Sequence, residues 1–323
     1  MKLNHFTTII RAIPQLTSNQ ISIIQHRIND EIQRGGTNVL IDQCKGNAIE
    51  CPHCGAENVG KWGSASGLQR YKCKETGCRK TFNALTKTPL ARLRKRNLWQ
   101  TNLDCIFDGL PLWKVADYVG VAVSTAFRWR HRFLAAPTND KPTEVAGIIE
   151  ADEMIFLESY KGNQTIHHRK PRKRGGLGNR KLKDDKIPVL IVKDRNGGLT
   201  DCVLESHTNK EIHSILAPIV NLESVLCTDG ASAYKTFAKE HDIKHYRNIT
   251  SQGTRVIKRT YHIQNVNNYM SRLRTWMARF HGVGTAYLAN YLGWMRMMEN
   301  QKEAKRLELK MLFNSNFRNI KLS

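Results

Sequence analysis

The chain has 323 residues, enough for about two domains, and 40% of them are hydrophobic, which suffices for a sizeable core. Its 51 Lys and Arg residues outnumber its 28 Asp and Glu residues, and the resulting net charge of +23 predicts a polyanionic partner. No stretch is apolar enough to span a membrane, and residues 1–16 lack the apolar core of a signal peptide. We therefore expect a cytoplasmic protein, not attached to a membrane, whose eight cysteines are reduced.

Residues 1–50 are predicted to form a helical segment. A helix from about Leu16 to Arg34 carries isoleucines at helical spacing, and Gly35–Gly36 ends the pattern. No residue pattern here indicates chemistry, so we interpret the segment as a packing or assembly element.

Two close cysteine pairs are the main feature of residues 51–85. Cys51 and Cys54 form the first pair, Cys73 and Cys78 form the second, and 18 residues with β-type sequence lie between the pairs. Two pairs that each sit on a turn can present four thiolates to a structural Zn²⁺, so we predict a zinc ribbon. The alternative is four unrelated free cysteines. A ribbon of this kind either contacts DNA or only braces its neighbours.

Residues 89–136 are predicted to contain three helices, at 99–108, 111–119 and 125–134. Gly120 ends the second helix and Ser124 is expected to cap the third, an order that matches a helix-turn-helix. The third helix would lie in the major groove of DNA, with Arg128, Arg130 and Arg132 as contacts. The alternative is an ordinary three-helix pack with a basic solvated face. Residues 137–144 are predicted to be a linker.

Two predicted strands in the second half of the chain end in acidic residues. The apolar run 147–156 contains Asp152, and the run 224–228 stops at Asp229. If the two strands share a sheet, the two carboxylates lie side by side and repel each other unless a cation separates them. Hard cations such as Mg²⁺ prefer oxygen ligands. Alternatively, each aspartate only caps a turn or a helix.

A basic insertion is predicted at residues 158–186, between the first acidic strand and the next. So much like charge indicates an exposed loop, and its place in the sequence favours a phosphate-binding arm over a merely solubilising excursion. Further strands and helices follow, from 187–194 to a last helix at 287–298, and a basic tail covers residues 301–323. The predicted DNA contacts in the insertion are Arg169, Lys170, Arg172, Lys173, Arg174, Lys181 and Lys183.

The order of strands and helices in residues 145–300 resembles the ribonuclease-H-like domain of DD(E/N) transposases and integrases. The motifs GIIEADEMIF, KPRKRGG, VLCTDGASAY and YHIQNVNNYMSRLRTWMARFHGVGTAYLANYLGW narrow the match. They are similar to insertion-sequence transposases of the ISXO type, a zinc-ribbon-bearing bacterial group related to Merlin elements. The resemblance covers the chain from about Cys51 to Glu299. The implied fold class is multi-domain α/β: a zinc ribbon and a helix-turn-helix, then a mixed-sheet catalytic domain.

The resemblance implies that Asp152 and Asp229 are the first two catalytic residues. The third position falls on Asn267, within His262–Asn268. The three side chains would hold two Mg²⁺ (or Mn²⁺) ions, which the neutral amide of asparagine binds more weakly than a carboxylate does. Asn265 is a rival on the same helix, and a helix cap is the structural alternative for Asn267. Possible accessory residues are Glu150, Glu153 and His262.

The implied function is that of a transposase, which cleaves transposon ends and joins them to target DNA. We expect double-stranded DNA as partner, a homo-oligomer when assembled on DNA, and a nucleoid-associated location. Two alternatives stay open. One is a DNA-binding regulator whose nuclease-like domain is inactive, which the neutral Asn267 favours. The other is a plain nuclease that cuts without joining.

Overall fold

A computed structural model describes residues 3–25, 28, 50–93, 95–163, 165–167, 185–249 and 252–299. The chain divides after Asp108 into two compact units, the second of which begins at Gly109. This division falls inside the predicted helix-turn-helix region 89–136. Seven predicted DNA contacts of the basic insertion, from Arg169 to Lys183, lie outside the described residues, as does the tail 301–323. No helix in the described ranges is both long and apolar enough to cross a bilayer.

The first unit begins with two helices. Helix α1 covers Leu3–Ala12, and the described part of helix α2 includes 18–25. Thr17 and Gln20 form a reciprocal cap at the start of α2: the Thr17 backbone N–H donates to Gln20 Oε1 over 2.9 Å, and the Gln20 N–H donates to Thr17 Oγ1 over 3.4 Å. The predicted helix start near Leu16 is therefore confirmed.

A three-stranded antiparallel sheet follows, with β1 at Val59–Ala65, β2 at Leu68–Cys73 and β3 at Thr81–Asn83. Ser66 and Gly67 both have positive φ angles, 51° and 75°, as the two-residue turns that match the twist of a hairpin require. After the sheet comes helix α3, Trp99–Phe107.

The second unit contains a mixed five-stranded sheet. Its strands are β4 (Ile148–Leu157), β5 (Lys186–Asp194), β6 (Leu199–Val203), β7 (Val225–Thr228) and β8 (Lys244–Arg247). Their spatial order is β6-β5-β4-β7-β8. The first three strands pair antiparallel, whereas β4, β7 and β8 run parallel. The predicted mixed sheet is confirmed, and β4 is its central strand.

Helices cover both faces of this sheet. The helices of the second unit are α4 (Leu112–Val119), α5 (Val123–Asn139), α6 (Asn209–Leu216), α7 (Ser232–Glu240), α8 (Gln264–Ala278) and α9 (Leu288–Glu299). On one face, Ile149 and Ala151 of β4 pack in a core with residues of α6 and α7. Because side chains alternate along a strand, Glu150 and Asp152 point to the opposite face, where Glu150 contacts α8.

Helix α5 differs from the prediction at both ends. It begins at Val123 with Ala122 as its N-cap, so Ser124 lies inside the first turn and does not cap the helix. It also continues through Pro137 to Asn139, into the predicted linker 137–144. The extension is stabilised by Arg296, whose guanidinium donates to the carbonyls of Pro137 and Thr138.

Helices α5 and α9 approach each other closely at Gly293. A Cβ atom there would lie 2.7 Å from the backbone N and Cα of Thr138, so a larger residue would push the helices apart. Arg296 of α9 also forms a buried ion pair with Asp201 of β6. The sequence patterns indicated the helices but not this pairing.

Candidate functional site

Strands β4 and β7 bring the two predicted catalytic aspartates together. The parallel register pairs Ile149 with Leu226 and Glu150 with Cys227. Continued by two residues, the same register places Asp152 beside Asp229, which directly follows β7. The charge of Asp229 acts on Asp152, so the two carboxylates are electrostatic neighbours.

The environment of Asp152 disfavours its charged form. Burial raises the pKa of Asp152 to about 6, and the charges of Asp229 and Glu153 add to the rise. The backbone N–H of Glu153, which donates to Asp152 Oδ1 over 2.8 Å, opposes it. A half-buried carboxylate beside a second carboxylate is the arrangement that a bound divalent cation relieves.

The raised pKa of Asp152 predicts a pH-dependent stability difference in the metal-free protein. Folded Asp152 holds its proton up to about pH 6, whereas in the unfolded chain it releases the proton near its ordinary pKa of 3.8. Above pH 6 the charged carboxylate therefore destabilises the fold, by on the order of 2 kcal/mol. We expect metal-free Asp152→Asn to melt at a higher temperature than the wild type at pH 8, with the gap closing as pH falls from 6 to 4.

Thermal melts of both proteins in a chelator, across this pH range, measure the effect. Asp242→Asn, the same change at an exposed turn, controls for the loss of one negative charge. A gap that stays constant between pH 8 and pH 4 contradicts the assignment.

The start of α8 is tied to β4 through Glu150. Glu150 is fully buried. Its Oε2 accepts hydrogen bonds from the backbone N–H groups of Asn265 and Val266, at 2.8 and 3.1 Å, and its Oε1 accepts from Asn265 Nδ2 at 2.7 Å. Glu150 is therefore not a free carboxylate that adds charge to a metal site, as its accessory role implied.

The same contacts distinguish between the two candidate asparagines of α8. Both side chains are exposed, but that of Asn265 is engaged in a hydrogen bond to Glu150. Ile263 is the N-cap of α8, so Asn267 is the fourth residue of the helix and does not cap it. Asn267 thus remains the candidate for the third ligand.

Helix α8 runs alongside β4 beyond Glu150. A cavity of about 410 Å³ lies between the two elements, and its lining includes Met154 and Phe156 of β4 with Arg274 and Met277 of α8. The helix therefore follows the strand in the same direction, from Glu150 toward Leu157. Asn267, just past the Glu150 contact, lies on the stretch of α8 that accompanies Asp152.

Glu153 and His262 are both engaged by neighbouring residues. Glu153 points to the other face of the sheet, where Tyr234 Oη donates to its Oε1 over 2.8 Å and His207 Nε2 lies 3.6 Å away. His262 Nδ1 lies 3.5 Å from Glu150 Oε1. Glu153 is thus held in place next to Asp152, and His262 is held in place just before α8.

Sequence reasoning missed Arg195, which lies in the turn between β5 and β6. Its Nη2 is 3.5 Å from Glu150 Oε1 and 3.3 Å from His262 Nε2, and it donates to the carbonyl of Thr260. The turn sequence Arg-Asn-Gly-Gly predicts a hairpin, and nothing in it indicates that the first residue reaches α8 and β4.

The four cysteines of the first unit form a second candidate site. Their Sγ atoms all lie within 4.8 Å of one another, and the Cys51–Cys78 and Cys54–Cys73 pairs are each 3.7 Å apart. Tetrahedral Zn²⁺ with Zn–S bonds of 2.3 Å would separate its sulfurs by about 3.8 Å. Each pair precedes a residue with positive φ, Gly55 or Arg79, which turns the chain back toward the cluster. The cluster therefore fits a zinc ribbon.

The thiols of this cluster differ in acidity. Burial alone would raise the pKa of Cys51, but the backbone N–H groups of His53 and Cys54 and the neighbouring thiols lower it to about 7. Burial raises the pKa of Cys73 to about 12. Metal binding by all four residues as thiolates would release protons.

The three arginines predicted to contact DNA have different environments. Arg128 and Arg132 of α5 are exposed. Arg130 is fully buried: its guanidinium lies 4.9 Å from the Trp294 ring, and its Nη1 is 3.4 Å from Tyr291 Oη. Arg130 therefore belongs to the packing of α5 against α9, and its assignment as a DNA contact was wrong. Alternate residues of a helix point in nearly opposite directions, which separates Arg130 from its neighbours.

Residues 144–300 match the family of ISXO2-like transposase domains. The chain is also 26% identical, over 263 residues, to an uncharacterized protein in the transposable element ISH50 of Halobacterium salinarum; the match covers 80% of this chain and 88% of the relative.

Two solved Mos1 assemblies, a pre-cleavage transpososome and a strand transfer complex, are similar at 12% sequence identity with TM-scores of 0.20 and 0.22. Each match covers 69% of this chain, and they cover 79% and 78% of the Mos1 chains. TM-scores this low establish neither a shared fold nor a shared activity.

The family match, together with paired aspartates on a mixed sheet, defines residues 144–300 as a transposase domain. The match of this domain and the ISH50 relative support an ISXO-type insertion-sequence transposase.

Proposed function

We propose that this protein cleaves the ends of its insertion sequence and joins them to target DNA, with Asp152, Asp229 and Asn267 as the catalytic residues. The observation that carries the proposal is the parallel β4–β7 register, which, continued by two residues, sets Asp152 beside Asp229. Support comes from α8, which is tied to the same strand through Glu150 and carries Asn267.

We infer a ribonuclease-H-like fold for the catalytic domain. Three antiparallel strands followed by two parallel strands, with β4 in the centre, is the plan expected of that fold. Asp152 lies on the central strand β4, Asp229 directly follows the neighbouring strand β7, and the third position lies on the helix that follows the sheet.

The donor set suits a pair of hard divalent cations. Two carboxylates and an amide oxygen are ligands that Mg²⁺ and Mn²⁺ prefer. When bound, two such ions would activate the attacking oxygen and stabilise the leaving 3′ oxygen. The protein's own residues contribute the anionic oxygens and hold the DNA in line, so no nucleophilic side chain is required.

A strand-transfer assay separates this proposal from its two rivals. The substrate is a labelled, pre-cleaved transposon end mixed with target DNA and Mg²⁺. We expect joined products. A plain nuclease yields cuts alone from uncut ends, and an inactive regulator yields neither cuts nor joints; either outcome contradicts the proposal.

Asn267 offers a direct test of the third ligand. Asn267→Asp supplies a carboxylate in place of a neutral amide, so we expect the Mg²⁺ concentration for half-maximal cleavage to fall. Asn267→Ala removes the ligand, and we expect that concentration to rise about tenfold or more. Asn268→Ala, next on the helix, is the matched control. Equal metal dependence in all three variants contradicts the assignment.

We further propose that α4 and α5 form a helix-turn-helix that binds double-stranded DNA. Gly120, with φ of 69°, ends α4 in the left-handed conformation that such a turn uses. Arg128 and Arg132 are exposed on α5. Arg255, Lys258 and Arg259 form an exposed basic loop just before α8, where they would contact phosphates of the cleaved strand.

The exposed arginines of α5 predict a graded effect on DNA binding. We expect Arg128→Ala and Arg132→Ala each to weaken binding and to reduce the slope of log affinity against log salt by about 1. Fluorescence anisotropy at several salt concentrations measures both quantities. Arg130→Ala is the contrast, because it should lower thermal stability through lost packing. Unchanged salt slopes for Arg128→Ala and Arg132→Ala contradict the proposed DNA contacts.

The remaining proposals follow from the same activity. The cysteine cluster would hold a structural Zn²⁺, and the basic insertion and tail would collect phosphate contacts. Joining two ends requires two copies of the site, so we propose a homo-oligomer assembled on DNA, located at the nucleoid. Inverted repeats that flank the gene would support the proposal.

A further inference from the structure

We propose that Glu150 is a positioning residue, which fixes Asn267 relative to Asp152 by anchoring the first turn of α8 to β4. The inference rests on the proposed function, because it assigns Glu150 a task in the same metal site. Glu150 is not proposed as a ligand of the metal; it acts through α8.

Glu150 accepts hydrogen bonds from the first turn of α8. Both of its carboxylate oxygens are used: two backbone N–H groups bind Oε2, and the Asn265 amide binds Oε1. The N-terminal N–H groups of a helix have no partners within the helix, and an anion there also interacts favourably with the helix dipole. The α8 N-cap residue, Ile263, offers no side-chain cap. Glu150, on strand β4, therefore caps the start of α8 in place of an N-cap side chain.

The contacts of Glu150 lie close in the sequence to both Asp152 and Asn267. Glu150 precedes Asp152 by two residues, so both side chains are on the same face of β4. On α8, Glu150 binds the backbone of the turn that carries Asn267, while the side chains of Asn265 and Asn267 point in nearly opposite directions. The buried carboxylate of Glu150 therefore connects β4, two residues before Asp152, to the first turn of α8, two residues before Asn267.

The buried carboxylate of Glu150 also has basic partners. Glu150 is fully buried, and an ionised carboxylate in such a place is tolerated only with charged or hydrogen-bonding partners. Arg195 and His262 each approach its Oε1 to 3.5 Å. Arg195 also donates to the Thr260 carbonyl, just before α8. The cluster thus joins the β5–β6 turn, β4 and the entry to α8 around one carboxylate.

A purely structural role and a positioning role predict different measurements. We would titrate Mn²⁺ into the full-length protein and follow binding by electron paramagnetic resonance, alongside thermal melts. Glu150→Gln keeps the shape of the side chain but removes the charge and one acceptor. We expect it to weaken Mn²⁺ binding about tenfold, and to raise the Mg²⁺ concentration needed for half-maximal cleavage by a similar factor.

A double-mutant cycle tests whether the effect passes through Asn267. In the Asn267→Ala background, Glu150→Gln should cause little further loss of Mn²⁺ affinity, since the ligand that it positions is gone. An additive loss, or a lower melting temperature with unchanged Mn²⁺ affinity, overturns the inference. If Glu150→Gln fails to fold, Asn265→Ala replaces it, because it removes one bond to Glu150 from the partner side and should shift Mn²⁺ affinity in the same direction.

Glu211 supplies a matched control. Its carboxylate also accepts backbone N–H bonds, from Glu205 at 2.7 Å and from Ser206 at 2.8 Å, but it lies on α6, on the opposite face of the sheet. Glu211→Gln should affect stability and leave Mn²⁺ affinity unchanged. Failure of the proposed function is separately visible: a protein that shows the Mn²⁺ coupling but joins no DNA ends retains the positioning role, whereas a wild type that binds no Mn²⁺ contradicts both.

Discussion

Asp152→Asn and Asp229→Asn are each expected to abolish Mg²⁺-dependent cleavage of transposon-end DNA, by about 10³-fold or more, while end binding stays within about twofold of the wild type. Each change removes one anionic oxygen ligand from a site where the paired carboxylates supply most of the negative charge. Several kcal/mol of transition-state stabilisation by metal ions depends on that charge. A gel assay for cleavage, paired with an anisotropy assay for binding, gives both numbers.

The control for this experiment is Asp242→Asn. Asp242 is exposed in the turn after α7, so the same change there should leave cleavage intact. Loss of end binding in parallel with cleavage would falsify the assignment, since it would mean that the aspartates hold DNA or the fold rather than the catalytic metals.

Cys73→Ser is expected to unfold the ribbon 51–83 and to weaken end binding strongly, with zinc content falling from one ion per chain to none. Cys73 is buried in the small core that it shares with Cys51 and Phe82. So small a core gives little stability by itself, and a structural Zn²⁺ supplies on the order of 10 kcal/mol in comparable sites. Limited proteolysis with and without a zinc chelator should show the same loss of protection in the wild type.

Cys202→Ser is the matched control, because Cys202 lies on β6 and does not belong to the four-cysteine cluster. It should retain zinc and end binding. A Cys73→Ser variant that keeps its zinc and its resistance to protease contradicts the ribbon assignment. A variant that loses zinc but binds ends normally shows that the ribbon only braces its neighbours.

Much of the fold was predictable because the apolar runs are short, clear and separated by turn residues. The predicted strand 187–194 and the predicted last helix 287–298 differ from β5 and α9 by no more than one residue at either end. The proximity of Asp152 and Asp229 was also predictable in outline, since both follow apolar runs that share a sheet. The prediction placed Asp152 at a strand end, whereas β4 continues beyond it to Leu157. The β4–β7 register became visible only in the structure.

What could not be predicted depends on contacts between distant parts of the chain. Pro137 favours a linker by its local properties, but Arg296, far along the sequence, satisfies the carbonyls at this end of α5. Arg130 belongs to a basic run typical of a DNA-binding face, yet it packs against Trp294. Local composition carries no information about such tertiary partners.

Glu150 shows the same limit within the candidate site. In the sequence it is one more carboxylate next to Asp152, and its charge predicted an accessory role in metal binding. Its actual partners are the first N–H groups of a helix more than one hundred residues away. The role of Arg195, hidden in a hairpin turn, could not be predicted for the same reason.

The central claim is that oxygens of Asp152, Asp229 and Asn267 converge on divalent cations. Anomalous diffraction from crystals of the protein soaked in Mn²⁺ tests it most directly. We predict a Mn²⁺ peak between the two carboxylates, with the Asn267 amide oxygen coordinated to manganese at about 2.1–2.3 Å. Manganese bound elsewhere in the domain, or a peak at the aspartates with Asn267 turned away from it, would contradict the account.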